Sequence, residues 1–215
     1  MNFVAVDVET ANADMASICQ IGLAEYKNGI LADEWVTYVD PEDYFDYINI
    51  SIHGIDESTV KGAPSFGDLV STLHSHLNGK VVVCHTHFDR VAMNQAFQKY
   101  GANTLNCTWL DSARVARRAW TECSWKGYGL YPVCKMLGYE FRHHDAIEDA
   151  KAAAHILLSA SKEIGLDIDG WIKRVRLAID PKASGSGLYI KREGNPEGAF
   201  YGEVLVFTGS LAIFC

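Results

Sequence analysis

Phe3-Val4-Ala5-Val6-Asp7-Val8-Glu9-Thr10 is the stretch on which the fold turns. Four apolar residues lead into two acids separated by one position. The run is short, rich in β-branched residues, and reads as a buried strand. Side chains two apart on a strand share a face, so Asp7 and Glu9 stand side by side where the apolar run ends. Two adjacent carboxylates at the edge of a core are costly unless a cation neutralises them. The same D-x-E pattern recurs as Asp40-Pro41-Glu42, but in a proline-containing loop with no apolar lead-in, where it reads as a solvated turn.

Outward from this strand, Ser17–Tyr26 and Glu34–Val39 read as further strands, with Lys27-Asn28-Gly29 as the turn between them. Pro64–Leu77 changes to helical spacing behind Ser65, a capping residue. Lys80–Cys84 is a buried strand, followed by a helix from Asp89 to Tyr100 that stops at Gly101. Thr108–Leu110 is a short strand, and Ser112–Trp120, Tyr131–Leu137 and Ala146–Ser161 are helices. Strands first, then alternating helix and strand, indicate an α/β domain with a mixed sheet whose opening strands are antiparallel.

The chain has 215 residues, 48% of them hydrophobic, which suits one domain with a buried core. No apolar run reaches the roughly 20 residues of a membrane span, and a cytoplasmic location is expected. The six cysteines show no C-x-x-C pair and read as small buried apolar residues or spare thiols rather than a disulfide framework. A net charge of −8 argues against a coat protein that binds nucleic acid by bulk positive charge. It leaves room for an enzyme whose carboxylates hold cations that in turn meet phosphate.

Two further clusters carry chemistry. His85-Thr86-His87-Phe88-Asp89 places an acid at a strand-to-helix junction, where a helix cap is the ordinary role. His143-His144-Asp145-Ala146-Ile147-Glu148-Asp149-Ala150 gives Asp145 and Glu148 the spacing of a capping box. Asp149 then lies one turn into the helix on its apolar side, where an acid needs a counter-charge. His144, just outside the helix, has an unperturbed pKa of about 6.5, suited to taking a proton near neutrality. His143 reads as a bystander. Zinc at His85 and His87, or at His74 and His76, is the weaker reading, because no cysteine or carboxylate stands at ligand spacing.

Taken together, these segments resemble the DEDDh 3′–5′ exonucleases, the group that includes the polymerase III epsilon proofreading subunit. The strand followed by D-x-E-T is Phe3–Thr10, and I-x-x-I-G is Ile18–Gly22. H-G-I is His53–Ile55, and the apolar strand with F-D is Val81–Asp89. D-S-x-x-x-A-R is Asp111–Arg117, and H-x-x-x-x-D-A is His144–Ala150. Two departures stand out: the customary Asn of the second motif is missing from a loop one residue shorter, and Ala-Asn-Ala follows Thr10.

The resemblance implies a ribonuclease H-like fold over residues 1–180. It implies two Mg²⁺ or Mn²⁺ ions held by Asp7, Glu9, Asp89 and Asp149, with His144 as general base. Thr10 and Phe88 are expected to meet the terminal nucleotide. Arg114, Arg117 and Arg118, and less so Lys173, Arg174 and Arg176, are expected to follow the strand's phosphates. The expected substrate is a single-stranded or frayed 3′ end, DNA rather than RNA, cut to nucleoside 5′-monophosphates, with a polymerase or repair complex as partner. RNA trimming and an inactive nucleic-acid-binding or interaction domain are the alternatives. Residues 181–199 read as a linker. Residues 200–215 resemble the opening strand of a BRCT domain, the chain being cut short after the linker, or else an added strand of the exonuclease sheet.

Overall fold

In the computed structural model, which describes residues 1–179, β1 (Phe3–Thr10) lies at the centre of a five-stranded sheet of order β3-β2-β1-β4-β5. β2 (Ile18–Lys27) and β3 (Ile30–Tyr38) run antiparallel to their neighbours, while β4 (Val81–Cys84) and β5 (Thr108–Asp111) run parallel to β1. The mixed sheet expected from the strand order is therefore present. The linker and the BRCT-like strand lie outside the described residues.

Among the described residues there are seven α-helices: α1 (Tyr47–His53), α2 (Phe66–Leu77), α3 (Phe88–Lys99), α4 (Ser112–Ala119), α5 (Leu130–Met136), α6 (Ala146–Ile164) and α7 (Ile168–Arg174). The alternation along β1 divides the core. Val4, Val6 and Val8 pack with α2 and α3 on one face. Phe3 and Ala5 pack on the other with α4, α5, α6 and α7. Asp7 and Glu9 continue the second row, so they point toward α6.

Ser65 caps α2 through a reciprocal box with Asp68. The Asn28-Gly29 turn has both residues at positive φ, as a tight hairpin requires. Three elements differ from the sequence reading. β3 begins at Ile30 rather than Glu34; it is an edge strand whose side chains are mostly exposed, which erases the apolar signal. Helix α1 buries no residue and so carries no core-facing period. Helix α7 is short but anchors fully buried Trp171, whose indole N–H donates to Ser161 Oγ at 2.9 Å. Among the described residues, no helix is long and apolar enough to cross a membrane, and the five cysteines there are free thiols.

Candidate active site

Small residues let α6 descend onto the sheet. Asp7 pairs with Gly22 across β1 and β2, and Glu9 pairs with Gln20. A Cβ on Gly22 would lie 2.4 Å from the backbone of Ala146, so glycine alone permits this approach. Gln20 Oε1 accepts the N–H of Ala146 at 3.2 Å, meeting the first free amide of the helix. The capping box expected from Asp145 and Glu148 does not form. Asp145 occupies the N-cap but makes no cap bond, pairing instead with Arg142, and Glu148 pairs with Lys151. Seated in this way, α6 delivers Asp149 one turn in, and carboxylate oxygens of Asp7, Glu9 and Asp149 come within 4.8 Å of one another.

Asp89 arrives from the other helix layer. β4 pairs with β1 only at Val4–Val82 and Ala5–Val83, so the β4-facing edge of β1 has no strand partner farther along. There the N–H of Val8, between the two acids, donates to Asp89 Oδ1 at 3.1 Å. Asp89 is thus buried at the first turn of α3, and His87, at the N-cap, makes no side-chain cap bond.

The histidine pair is more involved than its spacing shows. His143 is no bystander: its Nδ1 lies 2.9 and 3.1 Å from the two Asp149 oxygens. The His144 N–H donates to Asp149 Oδ2 at 3.2 Å, and the two imidazoles stack with centroids 3.9 Å apart. His144 has φ 65, a left-handed conformation that costs energy in a non-glycine residue. Its Nδ1 lies 4.0 Å from Glu9 Oε1.

Sequence reasoning also missed α1 as part of the site. Asn49 Nδ2 donates to the Thr10 carbonyl at 2.8 Å, and His53 Nε2 donates to the same oxygen at 3.1 Å. His53 Nδ1 accepts the N–H of Ile55 at 3.0 Å, which fixes the tautomer. The H-G-I segment was the one signal pointing here. These bonds hold the chain just past Glu9, where the β1–β2 register shifts. Phe88, next to Asp89, keeps 37% of its surface exposed.

A profile of the exonuclease family (RNase T) matches residues 4–157. The chain belongs to the exonuclease family. A PolC-type DNA polymerase III from Caldanaerobacter subterraneus subsp. tengcongensis is 31% identical over 171 residues, covering 76% of this chain and 12% of that protein. The corresponding protein of Halalkalibacterium halodurans is 29% identical over 165 residues, covering 75% and 11%. The chain therefore spans about a tenth of the length of these relatives. Exonuclease X in complex with 5′ overhanging duplex DNA superposes with a TM-score of 0.64 at 18% identity, covering 80% of this chain and 99% of that one. E. coli Exonuclease I in complex with a dA16 oligonucleotide gives 0.65 at 16% identity, covering 75% and 41%. These structural neighbours establish the ribonuclease H-like fold.

Crowding and burial disfavour the charged form of each acid in this site, and a bound cation could offset that. Burial, then Asp89, Asp149 and Glu9, hold the Asp7 carboxyl well above its ordinary range. Burial and then Asp149 and Asp89 push Glu9 up to about 8. Asp89 and Asp149 are raised as well, burial being the leading cause for each; the Val8 amide partly offsets it for Asp89, and His143 for Asp149. Asp7, Glu9 and Asp149 offer an all-oxygen set that fits a hard divalent ion, while His143 and His144 with the same Asp149 form a second possible ligand group carrying two ring nitrogens. His144 is held below its ordinary value by burial, then by His143 and His53.

The arginines of α4 stand along the β5 side of the domain. Arg114 Nη2 donates to the Val175 carbonyl at 2.7 Å. Arg117 Nε donates to Ser124 O at 3.0 Å, and its guanidinium lies 4.6 Å from the Tyr128 ring centroid. Arg118 Nη2 donates to Leu177 O at 2.6 Å and Nη1 to Arg114 O at 3.0 Å, tying α4 to the segment after α7. Arg174 bonds Ala178 O and Ile179 O, each at 2.7 Å, while Lys173 and Arg176 are exposed. His85 is a buried structural clamp, with Ser112 Oγ 2.8 Å from Nδ1 and the Tyr128 carbonyl 2.9 Å from Nε2. Both ring nitrogens are engaged, which removes it as a zinc ligand. His74 Nε2 bonds the Asn103 carbonyl at 2.9 Å, and His76 stacks on Trp35.

Proposed function

We propose that this domain is a metal-dependent 3′–5′ exonuclease that releases nucleoside 5′-monophosphates from DNA 3′ ends. The observation that carries the reading is the convergence of Asp7, Glu9 and Asp149 from β1 and α6, with carboxylate oxygens within 4.8 Å of one another. Asp7, Glu9 and Asp149 would hold one Mg²⁺ or Mn²⁺, and Asp7 with Asp89 a second. When bound, such ions supply positive charge opposite the substrate phosphate and make water more acidic.

The protein's own groups do the rest. His144 is half-exposed beside Glu9, and its lowered pKa leaves the imidazole neutral at pH 7, ready to accept the proton of the attacking water. His143 and the His144 amide orient Asp149, as hydrogen bonds to a ligating carboxylate commonly do. Asn49 and His53 fix Thr10, where the terminal nucleotide would approach, and exposed Phe88 offers a ring to its base. DNA is favoured because the relatives are DNA polymerases, and a polymerase or repair complex is the matching partner.

The test is digestion of 5′-end-labelled single-stranded DNA and RNA, side by side, with Mn²⁺, with Mg²⁺ and with EDTA. Stepwise shortening of the DNA from its 3′ end, abolished by EDTA, is expected. Equal or faster shortening of RNA would transfer the reading to an exoribonuclease. No shortening of either, by a chain that still binds both, would leave an inactive binding domain.

A further inference from the structure

β4 and β5 run parallel and adjacent, but the helices that follow them leave in opposite directions. α3 packs with Val6 and Val82 on one face, and α4 packs with Ala5 and Leu110 on the other. Where successive connections part in this way, a crevice opens beyond the carboxyl ends of the strands, and open α/β sheets bind ligands in such crevices. Here it is a cavity of about 350 Å³ lined by Thr86, His87, Arg90, Trp109, Arg114 and Arg117.

Its charge is unbalanced. Among the described residues, Arg142 is the only arginine in an ion pair. The cavity wall holds one acid, Asp111, against three arginines, and its Oδ1 accepts the backbone N–H groups of Thr86, Ala113 and Arg114 rather than a guanidinium. Arg118, behind the cavity, is held below the usual guanidinium range by burial and then by Arg114, Arg174 and Arg117. A protein with a net charge of −8 thus gathers unpaired guanidinium groups at one place. Two of them are fixed in advance, Arg114 by the Val175 carbonyl and Arg117 by Ser124 and Tyr128. Preset arginines with free N–H groups suit a tetrahedral oxyanion.

The geometry points to a phosphate pocket in which Arg90, Arg114 and Arg117 hold a backbone phosphodiester of the nucleic-acid strand, next to the one being cut. This rests on the nuclease reading above. Strands lie about 4.8 Å apart, so the end of β5 stands roughly 10 Å from β1. That is too far to share the phosphate met by Asp7 and Glu9, and near enough for a neighbouring one. The continuity of chain from Asp89 to Arg90 joins the two places.

The test uses the full chain in Ca²⁺, to suppress cleavage, with a short fluorescent oligothymidylate bearing one uncharged methylphosphonate at successive linkages from its 3′ end. Wild type is expected to show one linkage near the 3′ end whose neutralisation weakens binding about tenfold, the scale of one charge-assisted hydrogen bond. In Arg90→Ala and in Arg90→Ala/Arg114→Gln that linkage should no longer matter, and the salt slope should fall by about 0.7 for each phosphate no longer held. Arg90 makes no side-chain hydrogen bond to the described residues, so its single variant keeps the test valid if Arg114→Gln disturbs Val175. Wild-type affinity and slope in both variants overturn the pocket. A thermal shift by inorganic phosphate or dTMP that the variants lose, with strand binding unchanged, overturns the strand as occupant in favour of free phosphate. Position-dependent binding without Mn²⁺-dependent cleavage sinks the nuclease reading and leaves the pocket. Cleavage with no position dependence does the reverse, and absence of strand binding overturns both.

Discussion

Gly22 on β2 lies so close to Ala146 at the start of α6 that an added Cβ would stand 2.4 Å from the helix backbone. Gly22 is also the cross-strand partner of Asp7. The absence of one side chain therefore sets the height of α6 above the sheet, and with it the distance from Asp149 to the acids of β1.

Gly22→Ala is accordingly expected to lift the amino end of α6. The obstacle is backbone rather than a flexible side chain, so overpacking should cost about 1–3 kcal/mol. For a domain of this size that is roughly 2–4 °C of Tm per kcal/mol. Activity should fall further than stability, because Asp149 moves with the helix. Calorimetry and Mn²⁺ titration on the same variant check this; unchanged metal affinity would show that the close approach does not govern the site.

The carboxylate cluster makes stability depend on pH in a definite direction. A carboxyl whose pKa is raised on folding binds protons more tightly in the folded state, so its contribution declines as pH rises from the unfolded value, near 4, through the folded one. For Glu9 that window ends at about 8. The metal-free protein should lose Tm between about pH 4 and 8, and Mg²⁺ or Mn²⁺ should restore more of it at pH 8 than at pH 5. Glu9→Gln should raise the Tm of the metal-free protein by about 2–4 °C while weakening metal binding. A metal-induced shift that shrinks toward pH 8 would contradict this.

Much of the site was legible because it lies on regular structure. The apolar lead-in places Asp7 and Glu9 at the edge of the core, and the alanine-rich face marks Asp149 as buried, through local spacing alone. What could not be read depends on partners far apart in sequence. Gln20 meets the amide of Ala146 across 126 residues, and no local spacing announces that partner. Asn49 and His53 act through the backbone of Thr10 from a helix that buries nothing, and helical periodicity is a record of burial. His143 looked redundant beside His144 because only a folded turn shows which ring faces Asp149.

Thr86 lies in the shortened loop of the second motif, from which the customary Asn is missing, and it has φ 73. A β-branched residue in the left-handed region is strained by about 1–3 kcal/mol, whereas Asn tolerates it. The Asp111 bond to the Thr86 amide at 2.9 Å holds the loop in this shape and does not depend on the side chain. Thr86→Asn should therefore stabilise the protein by about 1 kcal/mol, seen as a higher denaturant midpoint with an unchanged m-value. A loss of stability would mean that the Thr side chain, despite its backbone cost, is packed favourably in the loop.

The two histidines separate proton transfer from positioning. His144 reaches toward Glu9 and makes no side-chain bond to Asp149, so His144→Ala should remove the proton acceptor and lower kcat by roughly 10²–10⁴-fold with metal affinity little changed. Because its pKa lies below 6.5, the wild-type rate should rise with pH at acid pH and level off by neutrality, and that rise should disappear in the variant. His143 instead holds both oxygens of Asp149 and stacks on the ring of His144. His143→Ala should weaken metal binding or activity by about 10–100-fold, the usual effect of removing a hydrogen-bond partner of a ligating carboxylate. Its acid-side pH profile should persist, since the acceptor remains. Rates measured from pH 5 to 8 at saturating Mn²⁺, with Mn²⁺ affinity determined separately, distinguish the two roles. If His143→Ala abolishes the acid-side rise and His144→Ala leaves it intact, the proton acceptor is His143, and the assignment of His144 fails.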